Sequence, residues 1–155
     1  MTSHRLVIGI GNPLRGDDGV GALLAEQAAV FTAADPGGPV AVRSVQQLTP
    51  ELAEELAPLD AVLFIDAWPA PVGADPQLIA LSPAGGAGGT HPDSHRLEPA
   101  ALLAVSQALY GCAPEAQLLL VPAQAFEHGT ALSAELKAAL PQARALLRQW
   151  LAGHA

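Results

Sequence analysis

Acidic residues stand at two turning points of this sequence. Asp17 and Asp18 follow the run Arg5–Ile10 (RLVIGI) after a turn containing Gly11 and Gly16, and Asp66 closes the apolar run at residues 61–65 (AVLFI). Carboxylates brought close together repel, and a bound cation is one efficient way to offset that repulsion. Each aspartate also has a purely structural role open to it. An aspartate ahead of a helix can cap it, a contribution of about 1 kcal/mol, and that is the role expected of Asp17. For Asp18 and Asp66 the shared site is the stronger expectation.

A third ligand would best be an imidazole. The five histidines are His4, His91, His95, His128 and His154. His4 and His154 lie near the ends. His91 and His95 lie in a loop before a helix, with Ser94-His95-Arg96-Leu97 leading into it. Loop histidines are commonly just solvated, and no HExxH pair fixes a metal site by spacing. The residues alone therefore leave two readings: an Asp/Asp/His metal site in a crevice, or a cap, a turn residue and a surface histidine.

Other chemistries fit less well. Gly9-Ile10-Gly11-Asn12 after a strand suggests a dinucleotide fingerprint, but G-x-G-x-x-G requires glycine where this chain has Leu14. Asp17-Asp18 would also set negative charge against a pyrophosphate. The glycines are better explained by a tight backbone turn beneath a site. Cys112 has no cue tying it to a base, and no G-x-S-x-G elbow occurs. It is the only cysteine, which rules out an intrachain disulfide and an all-cysteine metal site and fits a reducing cytoplasm. A formal charge of −8 with only seven basic residues argues against nucleic acid or an anionic membrane as partner. Neither a signal peptide nor a membrane span is expected, because the apolar runs are too short.

The elements that must position these residues alternate between strand and helix. Strands are expected at Arg5–Ile10, 40–45, 61–65, Gln77–Leu81 and 117–121. Helices are expected from about residue 19 to 31, with Val20, Leu23, Leu24, Ala28 and Phe31 on one face, and after Thr49-Pro50, read as cap and first helical position. A third begins near Glu98 and Pro99, with Leu102, Val105 and Leu109 on one stripe. Ser133 caps the last, which buries Leu136, Leu140, Leu147 and Trp150 and should kink or break at Pro141. A chain of 155 residues, half of them hydrophobic, suits one domain spanning 1–155. The β-α-β-α-β opening implies a three-layer α/β/α sandwich. Right-handed crossovers allow the second and third strands to flank the first, opening a crevice at their carboxyl ends. Asp18 and Asp66 would both lie there.

Residues 8–21, Ile-Gly-Ile-Gly-Asn-Pro-Leu-Arg-Gly-Asp-Asp-Gly-Val-Gly, resemble the N-terminal motif of the hydrogenase maturation endopeptidases, approximately G-x-G-N-x-L-x-x-D-[DE]-G-x-G. The resemblance extends to Phe64-Ile65-Asp66-Ala67, Ser94-His95-Arg96-Leu97 and Phe126-Glu127-His128-Gly129 with Leu132-Ser133. It implies a phosphorylase/hydrolase-like α/β fold: a five-stranded mixed sheet with its fourth strand antiparallel. It also implies a monomeric, cytoplasmic, aspartic-type endopeptidase that trims the C-terminal extension of a nickel-iron hydrogenase large-subunit precursor after nickel insertion. The family's acidic residue, aspartate and histidine map onto Asp18, Asp66 and His95 as both metal-binding and catalytic residues. Nickel would be supplied by the substrate, and other divalent ions could substitute. Asp18 stands where some members carry glutamate, one methylene longer. Gln46-Gln47-Leu48 replaces an Asp-Gly-Gly-Thr-type segment that lines the cleft of several relatives, so substrate selection can differ here. Two competing readings are a non-catalytic nickel-dependent chaperone or scaffold and a small-molecule hydrolase on a related scaffold.

Overall fold

A computed structural model describes residues 4–83 and 97–153. Its elements in chain order are β1 (Arg5–Ile10), a 3-10 turn (Gly16–Gly19), α1 (Val20–Phe31), β2 (Ala41–Val45), α2 (Leu52–Leu56), β3 (Ala61–Pro69), β4 (Gln77–Leu81), α3 (Pro99–Tyr110), β5 (Glu115–Ala123) and α4 (Ala134–Gly153). The five strands form one sheet in the order β2-β1-β3-β5-β4. All neighbours are parallel except β4, which runs antiparallel to β5. The expected mixed sheet, with strands two and three flanking the first, is what the chain forms.

Period-two alternation divides the core between the two faces of the sheet. Val7, Leu63, Ile65, Leu119 and Val121 pack with Val20 and Leu24 of α1 and with Leu136, Leu147 and Trp150 of α4. Leu6, Ile8, Val62 and Phe64 point the other way, toward Leu56 of α2 and Leu102 and Leu103 of α3. These are the three layers. Among the described residues no helix is long and apolar enough to cross a membrane.

Several elements differ from expectation for identifiable reasons. β3 does not stop at residue 65 but continues to Pro69, because β5 pairs with it from Ala61 through Pro69 while β1 pairs only as far as Ile65. Asp66 is therefore an interior strand residue at the position where β3 loses its β1 neighbour. The buried face of α3 is rotated toward Leu103 and Ser106, and Leu109 is 68% exposed. Ser106 can be buried because its hydroxyl donates to the Cys112 carbonyl at 2.8 Å. α2 begins at Leu52 rather than at Pro50, and Thr49 does not cap it. Ser133 does cap α4, its Oγ accepting from the Leu136 amide at 3.1 Å. α4 runs through Pro141 without a break. Its buried residues include the four predicted, so tertiary packing outweighs the one hydrogen bond that proline removes.

The opening of the chain is governed by how near α1 comes to the sheet. A Cβ on Gly9 would lie 2.2 Å from the Gly21 carbonyl oxygen, and one on Gly21 would lie 2.6 Å from that of Ile10. Only glycine permits this approach, which draws the 3-10 turn and its aspartates over the end of β1. Gly9→Ala should lower stability by about 2 kcal/mol or more, as overpacking of a tight contact does. Urea unfolding of the two proteins checks this: an unchanged midpoint would mean that the helix can move back freely.

Candidate functional site

The sequence places Asp17 and Asp18 side by side, and the fold gives them different tasks. Asp17 is fully buried. Its Oδ2 accepts from the amides of Gln124 (2.8 Å) and Ala125 (3.0 Å) and from the Ser133 hydroxyl (2.6 Å). Its Oδ1 accepts from the Ser133 amide at 2.6 Å. The Asp17 amide in turn donates to the Ala125 carbonyl at 2.8 Å. The helix cap expected of Asp17 is thus replaced by a clamp between the loop after β1 and the segment joining β5 to α4; no side chain caps α1. Burial pushes the Asp17 carboxyl up, but the hydrogen bonds from the Ser133 hydroxyl and amide and from the Gln124 and Ala125 amides outweigh it and hold the group below its ordinary value.

Asp18 is buried as well, and its Oδ2 accepts from the Asn12 amide at 2.7 Å. Gly11, at φ +133°, lies directly against it: a Cβ there would stand 3.0 Å from Asp18 Oδ1 and closer still to its main-chain oxygen. The expectation that glycine allows a tight turn beneath the site holds at this position. Asp66 is half-buried and lies on β3 at the level of Ile10, one residue beyond the pairing of Gly9 with Ile65. It lines a small cleft with Ile10, Gln47, Leu48, Leu97, Glu98 and Pro99. The 3-10 turn carrying Asp18 packs against β3. Asp18 and Asp66 therefore lie on neighbouring elements, near where β1 ends beside β3.

His95, the expected third ligand, lies outside the described residues, as do His91 and His154. Leu97, two residues after His95, lines the Asp66 cleft and forms a bridge with Leu48. His128 and His4 are exposed. Among the described residues no three His, Cys, Asp or Glu side chains form a metal-holding group. Gln47 and Leu48, from the segment expected to set substrate selection, do line the cleft. Cys112 is an exposed free thiol whose Sγ approaches the Ala57 carbonyl at 3.3 Å.

With this geometry, the chain can be set beside solved structures. The fold is shared with hydrogenase maturation proteases. The endopeptidase HybD from E. coli superimposes with a TM-score of 0.70 at 22% identity, covering 94% of this chain and 93% of that one. The hydrogenase 2 maturation peptidase from Thaumarchaeota archaeon SCGC_AB-539-E09 gives 0.66 at 24% identity, covering 96% and 98%. The [NiFe] hydrogenase maturation protease HycI from Thermococcus kodakarensis KOD1 gives 0.64 at 21%, covering 95% and 89%. No protein-family model and no curated protein matches the chain. The likeness therefore spans nearly the whole length of each structure and rests on architecture, with few residues in common.

The clamp generates a prediction with a definite sign. A carboxylate whose folded-state pKa is depressed contributes stability above its unfolded pKa of about 4, and that contribution fades as pH falls through the folded value. Asp17→Asn sets an amide against four donors and should cost on the order of 3 kcal/mol at pH 7. The stability gap between wild type and variant, measured by urea unfolding, should narrow on going from pH 7 to pH 3. A gap that stays constant would show that the charge of Asp17 is not what holds the clamp.

Proposed function

We propose that this protein is an endopeptidase that removes the C-terminal extension of a nickel-iron hydrogenase large-subunit precursor after nickel insertion. The observation that carries this reading is the position of Asp66, on the β3 segment beyond β1 and bordering a cleft, with buried Asp18 on the 3-10 turn that packs against the same strand. The shared architecture with hydrogenase maturation proteases supports it. In this reading nickel is part of the substrate. Carboxylate oxygens from Asp18 and Asp66 and an imidazole nitrogen from His95 make a donor set suited to nickel or zinc. The approach of Leu97 to the Asp66 cleft supports His95 as the third member.

The two carboxylates divide the work. Asp18 is held by the Asn12 amide and packed on Gly11, so it is a fixed recognition group. Asp66 borders the cleft and is the one able to act as general base. Water oxygen attacks the scissile carbonyl carbon as its proton passes to the Asp66 carboxylate. That proton then goes to the departing amide nitrogen as the C–N bond breaks. The protein works as a monomer in the cytoplasm, where Cys112 stays reduced.

Incubation of the purified chain with nickel-loaded precursor, followed by mass spectrometry, tests the proposal. The expected result is a mass loss equal to the C-terminal extension, absent with metal-free precursor. A stable complex without mass loss would mean a chaperone or scaffold, and neither complex nor cleavage would end the assignment. Asp66→Asn should slow processing by ~100-fold or more, and His95→Ala should weaken engagement and processing of the nickel-loaded precursor. Unchanged processing by either variant would remove that residue from the site.

A further inference from the structure

Past the end of β1 the sheet narrows to two strands. β1 pairs with β3 no further than Ile65, and β4 pairs with β5 no further than Leu120. Ala67, Trp68 and Pro69 therefore continue beside Val121, Pro122 and Ala123 as a parallel two-strand ribbon, with Asp66 at its root. Such a ribbon is weak: two paired strands alone are marginal in water, and parallel pairing is the less stable kind. Pro69 and Pro122 also lack the N–H that a ladder uses. Packing secures one face, since Ala67, Val121 and Ala123 belong to the core shared with α1 and α4. Asp66 and Trp68 lie on the opposite face, by the alternation of a strand, and both are half-buried.

Gln124, the residue after β5, fastens the tip of this ribbon. Its side-chain Nε2 donates to the Ala70 carbonyl at 2.7 Å, just past the end of β3. The Ala70 amide donates in turn to the Ala123 carbonyl at a longer 3.3 Å. The main-chain amide of the same Gln124 donates to Asp17 Oδ2 at 2.8 Å. One residue thus holds the strand that carries Asp66 with its side chain and the turn that carries Asp18 with its backbone. A glutamine suits the task, because its amide offers donors without adding a charge.

We infer that Gln124 is a positioning residue that sets the Asp66 strand against the Asp18 turn, with one bond to each. It acts through Asp66 and not on the scissile bond. The catalytic consequence rests on the proposed function; the fastening itself does not. A slightly displaced general base loses rate while substrate binding is largely kept.

Steady-state cleavage of nickel-loaded precursor by the full chain tests this with Gln124→Met, which keeps length and backbone amide but removes the donor. Gln124→Met should lower kcat by about tenfold with KM little changed. Placed in an Asp66→Asn background it should cost roughly twofold at most, because the group it positions is already disabled. Equal losses in the two backgrounds, or no loss in either, would overturn the inference and leave the protease reading standing. Hydrogen exchange supplies a readout independent of cleavage. Protected amides between Asp66 and Ala70 should exchange about fivefold faster in Gln124→Met, with those of α2 and α3 unchanged. If wild type does not cleave, the protease reading falls and exchange alone decides the fastening. Faster exchange in the ribbon upholds it, and unchanged exchange ends it.

Discussion

The carboxylate of Asp17 draws hydrogen bonds from Gln124, Ala125 and Ser133, residues 107 to 116 positions further along the chain. The loop that carries Asp18 has little hydrophobic surface of its own with which to hold its position. A buried charge surrounded by matched donors fixes that loop, because leaving any of those donors unpaired is costly. The same serine caps α4 through its hydroxyl oxygen, so one residue sets the start of the last helix and the position of the first turn.

From this clamp the remaining geometry follows. Gly9 and Gly21 let α1 lie against β1, and Gly11 makes room for Asp18 behind the strand end. β1 stops pairing with β3 one residue before Asp66, and the sheet opens there into the cleft with Gln47, Leu48 and Leu97 on its walls. The buried carboxylate that organises the corner is therefore a different residue from those proposed to act in it. Asp17 orders, Asp18 is held in place, and Asp66 faces the cleft.

Much of this was legible in the sequence because local patterns carried it. Apolar runs marked five strands, the buried positions of α4 were read from helical spacing, and crossover handedness put β2 and β3 on either side of β1. The role of Asp17 was not legible, because its partners are brought to it only by the completed sheet. The end of β3 was misplaced for a related reason: a strand ends where its neighbours stop pairing, and β5 carries β3 four residues past Ile65. The face of α3 was set by what covers it, so Leu109 stayed outside and Ser106, with a carbonyl to bond, went in. The approach of Leu97 to Asp66 depends on a bridge to Leu48 that no spacing rule contains.

The Arg5 guanidinium donates to the carbonyl of Leu151 at 2.6 Å, so a bond joins the first strand to the last turn of α4. Together with Ser133, this ties the order of β1 and its following turn to the docking of α4, far along the chain. Contacts of such separation form slowly, since the intervening chain must first be ordered. The aspartate corner thus takes its shape only once α4 has docked on the sheet.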